Sequence, residues 1–205
     1  MKLFQKISFS CIFWLLLTAT YPVYAVDYYG PNQRQESPGT SADIDYAKRL
    51  WERMKKQRLV GPQARKLMPF LGAAPPHGWI LELASQILNV GQHRGFLVVK
   101  KNYNGDNLRV EDVEENRAKY LASITVMYQR EAGYDIDNDN WFWVKYKPQG
   151  ELFSALMNGQ QVSLAGRLAK GKTRNKNTAC LYCHSSAGGG DYIFYPHITL
   201  PTTEN

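Results

Sequence analysis

The chain has 205 residues, of which 44% are hydrophobic and 21% charged, and its formal net charge is +7 at pH 7. This length suits one domain of ordinary size that can bury a hydrophobic core. Beyond an N-terminal apolar run, no stretch approaches the length of a membrane span, which excludes a protein built from several transmembrane helices.

The first 25 residues have the features of a secretory signal peptide. Lys2 and Lys6 form a basic start, and residues 7–18 form a short apolar run. Val23-Tyr24-Ala25 then has the small-x-small pattern of a cleavage site. We therefore expect a mature start near Val26 and a periplasmic or secreted protein. Retention of the run as an uncleaved anchor is the alternative.

Export also changes the charge and the cysteine content. Without the two lysines of the signal peptide, 23 basic side chains stand against 18 acidic ones, a net charge of +5. Cleavage removes Cys11, so both remaining cysteines belong to one C-terminal motif. A mildly basic exported protein suits an acidic redox partner or an anionic surface, whereas nucleic acid is not an expected partner.

Two helices are predicted first along the chain. Residues 26–40 are rich in Gly, Pro, Asn, Gln and Ser and predict a flexible lead-in. A helix is expected from Ser41 or Asp43 to the Gly61-Pro62 stop, with an apolar stripe of Ile44, Ala47, Leu50, Trp51 and Met54. Helical spacing predicts a second helix after Gly78, carried by Ile80, Leu83, Ala84, Ile87 and Leu88.

The pattern then changes to that of strands. Three segments are rich in β-branched and aromatic residues with partial alternation: residues 96–103, 120–130 and 141–147. Asn104-Gly105 and Gly133 mark turns, and residues 152–162 are expected to be a short helix or irregular. The predicted fold class is α+β, with N-terminal helices followed by an antiparallel β-sheet and the cofactor motif last.

That motif is Cys180-Leu-Tyr-Cys183-His184, a C-x-x-C-H segment. Two thiols at this spacing can add across the vinyl groups of one haem, and the following histidine can bind the iron as proximal ligand. A zinc site would need further ligands at matching spacing, and a thioredoxin-type pair would need a helix where a Gly-rich segment stands. An incidental disulfide stays open. The motif predicts one covalent haem c held by Cys180 and Cys183, with His184 on the iron.

The other side of the iron is expected to be open. No methionine follows His184, so the sixth position is predicted to be free for small molecules; His197 is an alternative ligand, more typical of a surface histidine. Phe142 and Trp143 are either walls of a ligand pocket or ordinary sheet core. The carboxylates considered as a distal base are Glu114, Glu115, Glu131 and Asp139.

Several short motifs occur in the order seen in a known family. They are Pro76-His77-Gly78, residues 95–103 and 124–128, Gly133-Tyr134, residues 139–146, Gly166-Arg167, the C-x-x-C-H motif and residues 191–194. This set resembles the cytochrome P-460 family, which includes the β-sheet cytochromes c′-beta. The resemblance implies an antiparallel sheet carrying one haem c, commonly in a homodimer. One branch of the family oxidises hydroxylamine, and a relative binds nitric oxide and similar diatomics.

The branches differ in a lysine whose amine is covalently joined to the haem. By resemblance, Lys100 is the candidate for this crosslink and Lys101 is its competitor. Neighbouring strand residues point to opposite faces, so at most one of them can face the haem; a solvent-exposed lysine is the alternative. The chain departs from the family pattern in a long charged connection, residues 104–119, and a basic insertion, residues 169–178.

Three functions remain open for the predicted domain, residues 41–205. It is a hydroxylamine-oxidising haem oxidoreductase, a gas-binding cytochrome without turnover, or a six-coordinate electron-transfer cytochrome. The expected partners are a small diatomic or nitrogen-containing ligand, an exported electron donor or acceptor, and a second copy of the chain. The basic cluster before the motif is a solvated loop or a docking patch: Arg167, Lys170, Lys172, Arg174 and Lys176.

Overall fold

A computed structural model of the protein describes residues 38–72, 77–157, 159–168 and 180–194. The predicted signal peptide, residues 26–37 of the lead-in, the basic insertion and His197 lie outside the described residues. In chain order the elements are α1 (Ser41–Lys56), β1 (Phe70–Leu71), β2 (Ile80–Val90), β3 (His93–Tyr103), α2 (Val110–Glu115), α3 (Arg117–Tyr120), β4 (Leu121–Gln129), β5 (Trp141–Tyr146), β6 (Ser154–Met157), β7 (Gln160–Ser163), β8 (Ala165–Gly166) and α4 (Cys180–His184).

Helix α1 begins where the sequence predicts it. The Thr40 hydroxyl accepts a hydrogen bond from the Asp43 backbone N–H at 3.1 Å, and the Asp43 carboxylate accepts one from the Thr40 N–H at 3.2 Å. This capping box satisfies two backbone donors that a helix start leaves unpaired. Four residues of the predicted stripe are buried, Ile44 is half-buried, and Tyr46 joins the buried side.

The strands form one principal antiparallel sheet. Its order is β1-β2-β3-β4-β5-β8, while β6 and β7 pair as a separate hairpin. Strands β3, β4 and β5 confirm the three predicted strands, with ends shifted by a few positions. The α+β class and the antiparallel sheet are likewise confirmed.

The predicted second helix is wrong, because its residues form strand β2. This strand pairs with β3 along its whole length, from Ile80 opposite Tyr103 to Val90 opposite His93. Gly91 allows the tight turn between them with a φ of 62°. Burial on both faces at the start of β2 hides the alternation that would indicate a strand, and long-range pairing overrides local periodicity. Ile87, a stripe residue of the supposed helix, is 49% exposed.

The expected helical or irregular segment over residues 152–162 is also wrong, because β6 and most of β7 lie there. The arrangement of helices differs from the prediction as well. Among the described residues only α1 precedes the sheet, whereas α2 and α3 lie between β3 and β4, and α4 follows β8. The charged connection after β3 therefore contains two short helices. Side-chain oxygens accept backbone hydrogen bonds at their first turns, Asp112 for α2 and Asn116 for α3.

The sheet has two faces with different partners. The helix face packs against α1 and is formed on the central strands by Leu97, Val99, Ile124, Val126, Tyr128, Phe142, Val144 and Tyr146. The opposite side, here called the motif face, is formed by Val98, Met127, Trp141 and Trp143 and packs against Leu168, Leu181 and Ile193. Strand alternation therefore divides the protein into one core under α1 and another under the C-x-x-C-H helix.

Candidate functional site

The short helix α4 brings the C-x-x-C-H motif onto the motif face. Leu181, 3% exposed, anchors it in the apolar cluster of that face, and its N–H donates to the Leu168 carbonyl at 3.4 Å. Cys180 and Cys183 are half-buried and carry free thiols. The motif is thus held by its apolar second residue, with both thiols unbridged.

His184 is oriented by a hydrogen bond to the chain that follows it. Its Nδ1 lies 2.6 Å from the Tyr192 carbonyl oxygen, and the ring is 8% exposed. Because a carbonyl only accepts, Nδ1 carries the proton and Nε2 keeps a free lone pair. Burial lowers the pKa of His184 to about 4, so the imidazole is neutral near pH 7. This is the arrangement that a metal-binding histidine requires.

The Cys180 thiol does not have the properties of a redox-active cysteine. Burial raises its pKa to about 11, whereas the attacking cysteine of a thioredoxin-type pair has a lowered pKa. Among the described residues, no three His, Cys, Asp or Glu side chains are grouped so that they could hold a metal ion on their own.

Lys100 lies on the motif face near this helix. In the sheet it stands opposite Leu83 on one side and Thr125 on the other, and Thr125 stands opposite Lys145. Burial lowers the pKa of both lysines, and in both cases the nearby Cys180 opposes that shift. Both half-buried lysines therefore lie close enough to Cys180 to interact with it electrostatically.

Lys101 points to the other side of the sheet, as strand alternation requires. Its Nζ lies 2.8 Å from a Glu82 carboxylate oxygen and 3.2 Å from the Arg65 carbonyl oxygen. Glu82 is fully buried and also pairs with Arg117 at 2.6 Å. Of the two lysines considered for the crosslink, the structure places Lys100 beside the motif and commits Lys101 to an ion pair.

The two aromatic residues considered as pocket walls are separated by the sheet. The Trp143 ring centroid lies 4.9 Å from that of His184, and the buried Trp143 Nε1 has no hydrogen-bond partner within the described part of the chain. Phe142 packs instead on the helix face, 5.0 Å from Tyr46. Phe194, 49% exposed, is a further ring at the site, 5.4 Å from His184.

The carboxylates considered as a distal base are not gathered at the motif. Glu114 and Glu115 are exposed on α2, and Glu131 pairs with Arg130 at the end of β4. Asp139 is exposed in the turn before β5, where its φ is 52°. The pairing register shows further that no carboxylate stands on the motif face of the described strands β2 to β5.

His77 belongs to the site although its sequence position did not indicate this. Its ring centroid lies 6.2 Å from that of His184, with the ring planes at 86°. Its Nδ1 is buried and has no hydrogen-bond partner among the described residues. Burial, followed by the charge of Lys100 and by repulsion from His184 when it is protonated, lowers the pKa of His77 to about 3, and a side-chain hydrogen bond with Asn102 opposes this shift. The Pro-His-Gly motif drew attention to this residue, but only the β2–β3 pairing brings it to the C-terminal motif.

These observations test whether the residues present fit a covalent haem. Two free thiols, an imidazole with an available Nε2, a neighbouring Trp143 ring and a half-buried Lys100 amine line one face of the sheet. They supply the attachment atoms, an axial nitrogen and an apolar wall that a haem c needs. The residues could therefore hold that group.

No family model, curated protein or solved structure matches this chain. The resemblance to the cytochrome P-460 family therefore stays a prediction based on its motifs. In the part of the chain that the structure describes, every helix is too short or too polar to cross a membrane.

Proposed function

We propose that the protein is an exported mono-haem c-type cytochrome that binds small nitrogen-containing ligands, such as nitric oxide or hydroxylamine, at its iron. The observation that carries this proposal is the His184 imidazole, whose Nδ1 is held by the Tyr192 carbonyl while its Nε2 stays available. The free thiols of Cys180 and Cys183 accompany it on the same short helix.

Each residue of the motif has one task in this proposal. Cys180 and Cys183 would hold a haem through thioethers, and His184 would bind its iron through Nε2. The bound haem would supply an iron centre that takes diatomic ligands and exchanges electrons with an exported donor or acceptor. Leu168, Leu181 and Ile193, all buried in the motif-face cluster, exclude water from that side of the sheet.

Oxidation of hydroxylamine is the further candidate activity, and it depends on Lys100. The amine lies on the motif face near Cys180, so Lys100 is the residue that would be joined to a haem held there. Such a bond would remove two hydrogens and would need an oxidant such as dioxygen or peroxide. The absence of a carboxylate on the motif face of strands β2 to β5 favours ligand binding over proton-coupled oxidation.

The remaining expectations belong to the same proposal. The signal sequence directs the chain to the periplasm or outside the cell, and the mature protein forms a homodimer as the family resemblance implies. A purely electron-transferring cytochrome with both axial positions filled is the second candidate, and the proximity of His77 to His184 favours it.

The test is expression of the full chain together with a c-type haem maturation system. We expect an intact mass equal to the polypeptide starting near Val26 plus one haem, and a reduced spectrum that changes when nitric oxide or carbon monoxide is added. Cys180→Ala combined with Cys183→Ala should lose the covalent haem. His184→Ala should keep the covalent haem but change the spectrum. The control His93→Ala, at the β2–β3 turn, should keep the haem and leave the spectrum unchanged.

The outcomes separate the alternatives. A polypeptide without bound haem would refute the proposal. A spectrum that no gas changes would leave only the electron-transfer function. Consumption of hydroxylamine in the presence of an electron acceptor would add the enzymatic activity.

A further inference from the structure

We propose that His77 is the second axial ligand of the iron in the resting protein, opposite His184, and that small ligands bind by displacing it. The inference rests on the proposed function, because it requires a haem attached at Cys180 and Cys183. It changes the expected open site into one that a side chain of the protein closes reversibly.

The separation of the two imidazoles carries the first part of the inference. A metal lies about 2.0 Å from a histidine nitrogen, and that nitrogen lies about 1.1 Å from the centre of its ring, so two histidines on opposite sides of one metal have centroids about 6.2 Å apart. The observed separation between His77 and His184 is 6.2 Å. The 86° angle between the ring planes is compatible with this arrangement, because each ring can rotate about its own metal–nitrogen bond.

The chemical state of His77 carries the second part. Its Nδ1 is buried and has no hydrogen-bond partner among the described residues. Leaving a buried polar atom unpaired is unfavourable, and coordination to a metal would remove that penalty. Histidine binds metals through either ring nitrogen in the neutral form.

The backbone next to His77 fixes its position. The Gly78 N–H donates to the Asn102 side-chain oxygen at 3.4 Å, and the Trp79 N–H donates to the Asn104 side-chain oxygen at 3.3 Å. A Cβ on Gly78 would lie 2.5 Å from the Tyr103 backbone, so only glycine permits this approach. These contacts hold residues 78–79 against the end of β3. His77, the residue before them, is thereby positioned near Lys100.

Other side chains at the site are weaker candidates for the sixth position. Met127 is 6% exposed and packs within the apolar cluster around Trp143. The Lys100 amine is the one competitor that the described residues place near both histidines. An experiment must therefore distinguish His77 from Lys100.

The experiment compares the ferric holoprotein with His77→Ala, Lys100→Ala and the control His93→Ala by electron paramagnetic resonance and optical spectroscopy. We expect a low-spin ferric signal in the wild type, in Lys100→Ala and in His93→Ala, and a high-spin signal in His77→Ala that added imidazole returns to low spin. If His77 occupies the iron for nine-tenths of the time, its removal should raise the apparent carbon monoxide affinity of the ferrous protein about tenfold.

A high-spin wild-type protein would overturn the inference while leaving the proposed function intact, and so would a low-spin signal that only Lys100→Ala removes. Absence of covalent haem from every variant would overturn both. If His77→Ala fails to fold, a high-spin wild-type spectrum would still refute the inference, and Lys100→Ala would still test the competing ligand. His77→Gln, which keeps a polar side chain of similar size, provides a second variant.

Discussion

Lys101 and Glu82 form an ion pair of 2.8 Å that is buried on the helix face, on the opposite side of the sheet from Lys100. Glu82 is fully buried, and its other carboxylate oxygen accepts from Arg117, which also donates to the Leu67 carbonyl. One carboxylate thus joins β2, β3 and α3. It also holds Lys101 on the side of the sheet away from the C-x-x-C-H helix.

Loss of this carboxylate should strongly destabilise the protein. Glu82→Ala leaves two cationic side chains without their buried partner, and breaking a buried pair in this way costs about 3–5 kcal/mol. Urea unfolding at pH 7 measures the change in the free energy of unfolding. Glu52→Ala, which removes an exposed pair with Lys55, is the matched control and should have little effect. Equal losses in both variants would contradict the structural role of Glu82.

Lys100 should be the residue found in any crosslink to the haem. In Lys100→Arg we expect the cofactor to be held by the two thioethers alone, since arginine does not supply a nucleophilic amine. Lys145→Arg is the control, because Lys145 lies on the same face and also neighbours Cys180. Proteolysis and mass spectrometry of the haem peptides identify the attached residues. A wild-type haem peptide containing only the C-terminal motif would show that no crosslink forms.

The stability of the protein should fall steeply in alkaline solution. Burial raises the pKa of four tyrosines: Tyr46, Tyr103, Tyr134 and Tyr146. Above pH 10 the unfolded chain loses these protons and the folded chain keeps them, so stability is retained below that pH and lost above it. Each tyrosine contributes a slope of up to about 1.4 kcal/mol per pH unit.

Guanidinium unfolding between pH 8 and pH 11, followed by circular dichroism, measures this slope. Tyr146→Phe should make the slope shallower by the contribution of one proton. It should also lower stability near pH 8, because the Tyr146 hydroxyl donates to the Ala47 carbonyl at 2.7 Å. Tyrosinate absorbance that rises well before the structure unfolds would show that these hydroxyls are accessible.

Gly95 in β3 should tolerate no larger residue. A Cβ there would lie 1.9 Å from the Gln129 backbone oxygen, so Gly95→Ala must push β3 and β4 apart. Overpacking of this kind costs about 1–3 kcal/mol or more. Gly188→Ala is the matched control, because nothing lies within 4 Å of the added atom. Thermal unfolding of the two variants should show a lowered midpoint for Gly95→Ala alone.

In the strands that the sequence predicts correctly, residue composition and the alternation of side chains between the two faces agree. In β4, Ile124 and Val126 face α1, while Thr125 and Met127 face the motif, so composition and alternation both indicate a strand. In β2 these signals conflict. Ile80, Leu81 and Glu82 are buried in succession, and the apolar residues that follow fit helical spacing as well as strand spacing. Only pairing with β3 decides between the two, and pairing is not visible in a local pattern.

The sequence likewise predicts only part of the candidate site, namely the residues of the C-x-x-C-H motif. Cys180, Cys183 and His184 are identified by their spacing because the chemistry of the motif is local. The choice between Lys100 and Lys101 depends on Glu82, which falls in the predicted second helix, and its pairing with Lys101 appears only when β2 and β3 are aligned. His77 was missed for the same reason, since its distance from His184 depends on the β2–β3 hairpin.

Among the residues that the structure describes, none beyond Ala165 belongs to the core on the helix face, whereas the other core includes Leu168, Leu181 and Ile193. We therefore expect α1 and the strands to assemble without the carboxyl-terminal segment. If the chain carries the proposed haem, its two thiols would at that stage stand on an accessible tail, open to the enzymes that attach the porphyrin. Docking of the loaded tail would then complete the molecule, so cofactor insertion would precede closure of the second core.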